Sequence, residues 1–158
     1  MQKLRVLLTT LTFITILTIP HFSFSQFTDK VPLPDNINMV RPDQDIDPSL
    51  TRFSGKWVGR WDDTLGHILV VEDIKPPFAT VIYAYGTAPM WGIHFGGWYR
   101  VQGKFVEDRL ELTLPTTKAL VTYGFKNGVL EGTYSTPRFS SKTKLTKSMD
   151  FPKTVTAR

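Results

Sequence analysis

The residues able to assemble acid–base or metal chemistry are Asp62 and Asp63, His67, Glu72 and Asp73, and His94. Two carboxylates facing each other across a cleft can hydrolyse a glycoside. Neighbours in a strand point to opposite faces, so Asp62 and Asp63 could cooperate only from a turn. Their place between two apolar runs predicts that turn, in which an aspartate bonds nearby backbone. His67 alternates with Leu65, Leu69 and Val71 and takes whichever face they take. A lone histidine on an apolar face reads first as a hydrogen-bonded core residue and second as a ligand or catalytic group. His67, His94 and an aspartate would be a minimal zinc set, but their spacing matches no local motif, and neither a metal nor a cofactor is expected. A serine elbow, a phosphate loop and a dinucleotide fingerprint are all missing, and without cysteine there is no thiol nucleophile.

A second set of residues could do binding chemistry. Tyr83, Tyr85, Trp91, His94, Phe95, Trp98 and Tyr99 surround a stretch containing Gly86, Gly92, Gly96 and Gly97. One reading makes alternate members core and lets the remainder cover the loop. The other makes them a ligand mouth, since flat rings with a few polar handles suit a sugar ring or a small aromatic molecule. On that reading the ligand-binding residues are Tyr83, Tyr85, Trp91, His94 and Trp98, with His67 added from the neighbouring strand.

The elements that must position these groups are strands. Eight short alternating runs follow Thr51: Phe53–Trp61, Leu65–Ile74, Ala79–Tyr85, Gly96–Val101, Arg109–Leu114, Ala119–Phe125, Val129–Ser135 and Ser141–Lys147. Lys75-Pro76-Pro77, Glu107-Asp108, Pro115-Thr116-Thr117 and Lys126-Asn127-Gly128 punctuate them. Asn127-Gly128 is the clearest hairpin, because both positions tolerate the positive φ of a tight turn. The expected fold is all-β, an antiparallel up-and-down barrel of about eight strands, closure being the way to remove exposed edges. The alternative is a β-sandwich.

The first strand, Phe-Ser-Gly-Lys-Trp-Val-Gly-Arg-Trp, places Gly55 and Gly59 among Phe53, Trp57 and Trp61, which predicts close approach of a neighbouring backbone or ring. Gly55-Lys56-Trp57 resembles the glycine-x-tryptophan opening of the lipocalin and avidin barrels, and Trp57 through Val71 looks like the first two strands of avidin-type proteins. The resemblance implies a calycin-type barrel with Trp57 closing one end. The second and third lipocalin signatures do not follow, and Asp62, Asp63 and His67 replace the polar residues with which avidins hold biotin. The ligand is therefore left open.

Residues 1–25 read as a signal peptide: Lys3 and Arg5, an apolar run to Ile19, Pro20, then small residues before Gln26. The expected localisation is secreted or periplasmic, with membrane contact only through an uncleaved signal. Removing Lys3 and Arg5 lowers the formal charge from +5 to +3. Residues 26–50 form a Pro- and Asp-rich extended arm of charge −3, and residues 51–158 a β-barrel domain of charge +6, so the two should attract. Asp43, Asp45 and Asp47 lack the glycine and late glutamate of a calcium loop. The basic end of the chain reads as a solvated edge strand or, through Lys142, Lys144 and Lys147, as contact with an anionic surface. Export disfavours nucleic acid. The function expected first is a non-enzymatic secreted module binding a small ligand or sugar. Two alternatives are a cell-envelope hydrolase using Asp62 or Asp63 with His67 or His94, and a structural or inhibitory partner of another exported protein.

Overall fold

A computed structural model describes residues 30–149 and the backbone of residues 155–156; the expected signal peptide lies outside the described residues. The elements are β1 (Met39–Val40), α1 (Pro48–Thr51), β2 (Gly55–Trp61), β3 (Leu65–Lys75), β4 (Phe78–Tyr85), β5 (Gly97–Val106), β6 (Arg109–Thr113), β7 (Leu120–Lys126), β8 (Val129–Thr136), β9 (Phe139–Lys147) and β10 (Val155–Thr156). Strands β2 to β9 form one closed antiparallel barrel in sequence order. Closure comes from β2 pairing with β9, Trp57 opposite Lys147 and Gly59 opposite Leu145, and it rules out a sandwich. A Cβ at position 59 would collide with the Lys144 carbonyl oxygen, so the glycine admits the last strand to the first. The Asn127-Gly128 hairpin has φ of 50° and 79°.

Alternation then sends the turns to two ends. Segments 62–64, 86–96, 114–119 and 137–138 gather at one end, the mouth. The other end is shut. Phe53, expected to open the first strand, instead follows α1 and drops fully buried into the barrel, edge-on to Phe105 at 5.5 Å and Phe125 at 4.9 Å. Trp57 lies beside it, its indole N–H donating to the Phe53 carbonyl at 2.8 Å and its ring meeting Phe125 edge-on. Lys147 Nζ stands over the Trp57 ring at 5.2 Å and the Arg52 guanidinium over Phe125 at 4.3 Å. The amphipathic stems of these cations cover rings that the barrel end would otherwise expose.

The arm lies along the outside of the barrel, and apolar contact rather than opposite charge holds most of it. Val70, Ile82 and Ala84 face outward yet are fully buried, with Ile68 nearly so, because Val31, Leu33, Ile37 and Met39 pack over them. This explains why β3 reads as a continuous apolar run: it is buried on both faces. One part-buried charge pair of the barrel helps to hold the arm. Arg100 Nε meets Glu72 Oε2 at 2.8 Å, and the same arginine donates to the Asn36 carbonyl while Asn38 N–H donates to Glu72 Oε1. Asp47, one of the three clustered aspartates, caps α1 by accepting from Ser49 N at 2.8 Å. β1 pairs in parallel with β10.

Because no disulfide supports this core, the plug at the shut end should dominate stability. Trp57→Ala is expected to lose roughly 3–5 kcal/mol, the cost of a large-to-small core change. That is much of a typical total of about 5–15 kcal/mol. Trp91→Ala, on a mouth loop, should change stability by only about 0.5 kcal/mol. Denaturant melts of the two variants decide it, and a Trp57→Ala midpoint equal to wild type would overturn the plug.

Candidate functional site

The mouth opens into a cavity of about 780 Å³. β2 and β3 supply Trp61 and Leu65, β4 supplies Tyr83 and Tyr85, and β5 supplies Tyr99. Trp91, Gly92, Ile93, His94 and Phe95 come from the 86–96 loop, which turns through a short 3₁₀ segment, Pro89–Trp91, and a left-handed Gly92. Leu114, Thr116 and Thr117 of the 114–119 loop, with Tyr134, Phe139 and Ser141 of β8 and β9, complete the wall. Among the described residues, none of those lining the cavity carries a carboxylate, an ammonium or a guanidinium group.

The floor is an aromatic layer. Trp61 lies 5.0 Å from His67, 6.5 Å from Tyr83, 6.4 Å from Tyr123 and 6.1 Å from Tyr134 between ring centroids. His67, under this layer, is completely buried; its Nδ1 is 2.8 Å from the Ala84 carbonyl oxygen and its Nε2 is 2.7 Å from the Tyr123 hydroxyl. A carbonyl can only accept, so Nδ1 carries the proton and Nε2 accepts from Tyr123. Burial, opposed by the Ala84 bond, lowers the His67 pKa to about 4 and keeps the ring neutral. Burial also raises the hydroxyl pKa of Tyr123 and of Tyr83, which Tyr134 raises further. Tyr85, stacked on Tyr99 at 6.0 Å, is raised by burial and by their shared hydroxyl bond.

Two polar atoms of this region stand apart. Trp61 Nε1 approaches the Tyr83 hydroxyl, enough to lower its pKa slightly, but falls short of hydrogen-bond geometry. Ser141 Oγ is likewise buried and unpaired. Most buried polar side-chain atoms in native proteins have a partner, so two orphans in one cavity wall call for an explanation.

Of the residues expected at the mouth, Tyr83, Tyr85, Trp91 and His94 line the cavity and two do not. Trp98 is on the outer face, 40% exposed, with Arg100 at 6.0 Å from its ring. The correction follows from parity: Trp98 pairs with outward Ala84 while Tyr99 pairs with inward Tyr83. The signal was present in β5 itself, where Trp98 shares its face with Arg100, Gln102 and Lys104. His67 is sealed beneath Trp61 and Tyr83 and touches no open space. Trp61, Tyr134, Phe139 and Ser141, missed in the sequence, belong to strands remote from the aromatic loop; barrel closure brings them in.

Among the described residues, no three of the His, Asp and Glu side chains gather into a group that could hold a metal ion. Asp62 and Asp63 occupy the β2–β3 turn with φ of 43° and 55°. There Asp62 fastens the turn to β9, donating from its N–H to the Lys142 carbonyl and accepting the Lys142 N–H on Oδ1 at 3.0 Å. Glu72 is committed beneath the arm and Asp73 pairs with Lys75 at 3.3 Å. Lys142 and Lys144 point outward from β9, while Lys147 folds over the shut end, so the three lysines do not form one patch. Comparison of the chain with known protein families, with curated proteins and with solved structures returns no match.

The neutral His67 makes stability depend on pH. Its folded pKa, about 4, lies below the ordinary value of 6.5, so the unfolded chain takes up the proton first. The stabilisation is complete above pH 6.5 and is lost as pH falls toward 4, by about 3 kcal/mol at 1.36 kcal/mol per pH unit. His67→Gln should be less stable at pH 7 but lack this part of the acid slope. Urea melts at pH 7, 5.5 and 4.5 measure both, and parallel slopes would contradict a buried neutral imidazole.

Proposed function

We propose that the protein is an exported, non-enzymatic barrel that binds one small molecule in its open end. The carrying observation is the aromatic, uncharged cavity of about 780 Å³ at the mouth. Its size and mostly apolar lining are those of small-molecule sites. The shut end and the hydrogen-bonded His67 layer give the cavity a fixed floor, and a preformed site loses less freedom on binding than a loose one. The resemblance of Gly55-Lys56-Trp57 to the opening of lipocalin and avidin barrels supports the same reading through architecture alone. Export rests on residues 1–25.

The lining favours a flat ligand over a sugar. A sugar ring presents many hydroxyls, and buried polar groups without partners are costly. This wall offers Tyr, Thr and Ser hydroxyls and His94, but neither a side-chain amide nor a carboxylate. Tyr85, Tyr99, Trp91 and Phe139 instead offer ring faces and edges. One observation favours a second reading, a partner of another exported protein: Met90 and Phe95 stand 78% and 85% exposed at the rim.

Trp61 and Trp91 both line the cavity, so indole emission reports its occupation. Titration with flat aromatic compounds and with sugars should give a saturable change with at least one aromatic probe. Trp91→Ala should weaken that probe by about 2- to 10-fold, the range for one aromatic contact of about 0.5–1.5 kcal/mol. Trp98→Ala, on the outer face, should leave it unchanged. Folded protein that responds to none of the probes would overturn the proposal; co-purification of an exported protein, abolished by Phe95→Ser, would favour the second reading.

A further inference from the structure

We infer that the ligand carries an uncharged, carbonyl-type oxygen that enters the cavity first and accepts hydrogen bonds from Trp61 Nε1 and Ser141 Oγ. The inference rests on the proposed binding function and names the chemical class bound. Both residues line the mouth cavity, and they are only 2% and 3% exposed. An indole N–H can only donate, and this one lacks a partner. The Ser141 hydroxyl likewise lacks a partner, and its proton can rotate to suit one.

The barrel places the two together. β2 and β9 run side by side with Gly59 opposite Leu145, and the Asp62 N–H donates to the Lys142 carbonyl. Trp61 on one strand and Ser141 on the other are thus diagonal neighbours on the inner wall. Tyr134 stands next to both, its ring edge-on to Trp61 at 6.1 Å and its backbone paired with Ser141. Neither polar atom has free surface behind the rings that surround it. Half-buried Tyr134 is the side chain placed to swing aside as the ligand enters.

Charge and hydrogen-bond capacity narrow the class. A carboxylate or phosphate would lose its hydration and meet no cation, and an ammonium would meet no carboxylate. A hydroxyl oxygen can also accept twice but brings a proton that needs an acceptor of its own, and an ether oxygen carries a substituent on each side that crowds a second donor. A carbonyl oxygen has two lone pairs in the plane of a flat body and can accept from two donors of the wall at once. The remainder of such a molecule then lies against the Tyr85 and Tyr99 rings.

The test uses the folded barrel and matched probes: acetophenone, 2-acetylnaphthalene and 2-acetylphenanthrene, each against the isostere in which C=CH₂ replaces C=O, with 2-naphthoate as the charged control. Calorimetry should find at least one ketone bound about tenfold more tightly than its isostere, the ratio for about 1.4 kcal/mol, and 2-naphthoate weaker than 2-acetylnaphthalene at pH 7. The Trp61 side-chain N–H, assigned by its loss in Trp61→Phe, should move downfield in nitrogen–proton spectra with the ketone and not with the isostere. Ser141→Ala should cut the ketone-to-isostere ratio severalfold while its melting midpoint stays equal to or above wild type, since it deletes an unpaired buried hydroxyl. Ketones and isosteres bound equally, a Trp61 N–H that does not move, or a series that fails while other flat probes bind would overturn the inference and leave the binding function standing. Failure of every probe would overturn both.

Discussion

Everything in this barrel depends on the close approach of its first strand to its last. Gly59 lets the backbone of β2 lie against Lys144, where any side chain would strike the carbonyl oxygen. Once that seam forms, a sheet of eight strands has no free edge on which another chain could pair. Closure also creates an inside with two ends. Phe53 and Trp57 fill one, in reach of Lys147 and Arg52. The other cannot be filled in the same way, because the strands there end in longer loops.

The contrast between His67 and Trp61 shows how two neighbouring layers of the core differ. Both are large, polar-tipped, inward-facing residues of neighbouring strands, 5.0 Å apart. His67 has each ring nitrogen paired, and burial costs it only its ability to ionise near neutral pH. Trp61, one layer nearer the mouth, keeps its donor unpaired. A fully satisfied group rigidifies a core, whereas an unsatisfied one is a standing cost that a partner can remove. The floor is therefore stable from below and unsatisfied above.

Much of the architecture could be read from single residues. The alternation of Arg109 to Leu114, the Asn127-Gly128 turn and the punctuating prolines located the strands, because those signals are local. Of the residues that the aromatic stretch singled out, Tyr83, Tyr85, Trp91 and His94 line the cavity. Trp98 failed because two adjacent aromatics cannot share a face and only strand register tells which turns inward. Trp61, Tyr134 and Ser141 could not be grouped beforehand, since 73 positions separate Trp61 from Tyr134 and only closure joins them. His67 was legible as an inward residue, but whether inward meant cavity or core depended on what stood above it.

The arm shows how apolar contact joins charge in holding an extended segment to the barrel. The arm's −3 and the barrel domain's +6 favour their association, but attraction between exposed charges is weak and screened. The decisive feature is that Val70, Ile82 and Ala84 point outward from strands already apolar on their inner face. Left bare, that strip would be an adhesive apolar surface. Val31, Leu33, Ile37 and Met39 remove it, and Glu72 with Arg100 fixes the register by bonding the backbone at Asn36 and Asn38. The same strap reaches the mouth, because a side chain at Gly96 would strike Pro32. The loop that carries Trp91, His94 and Phe95 is thus braced from outside by a segment that contributes nothing to the cavity.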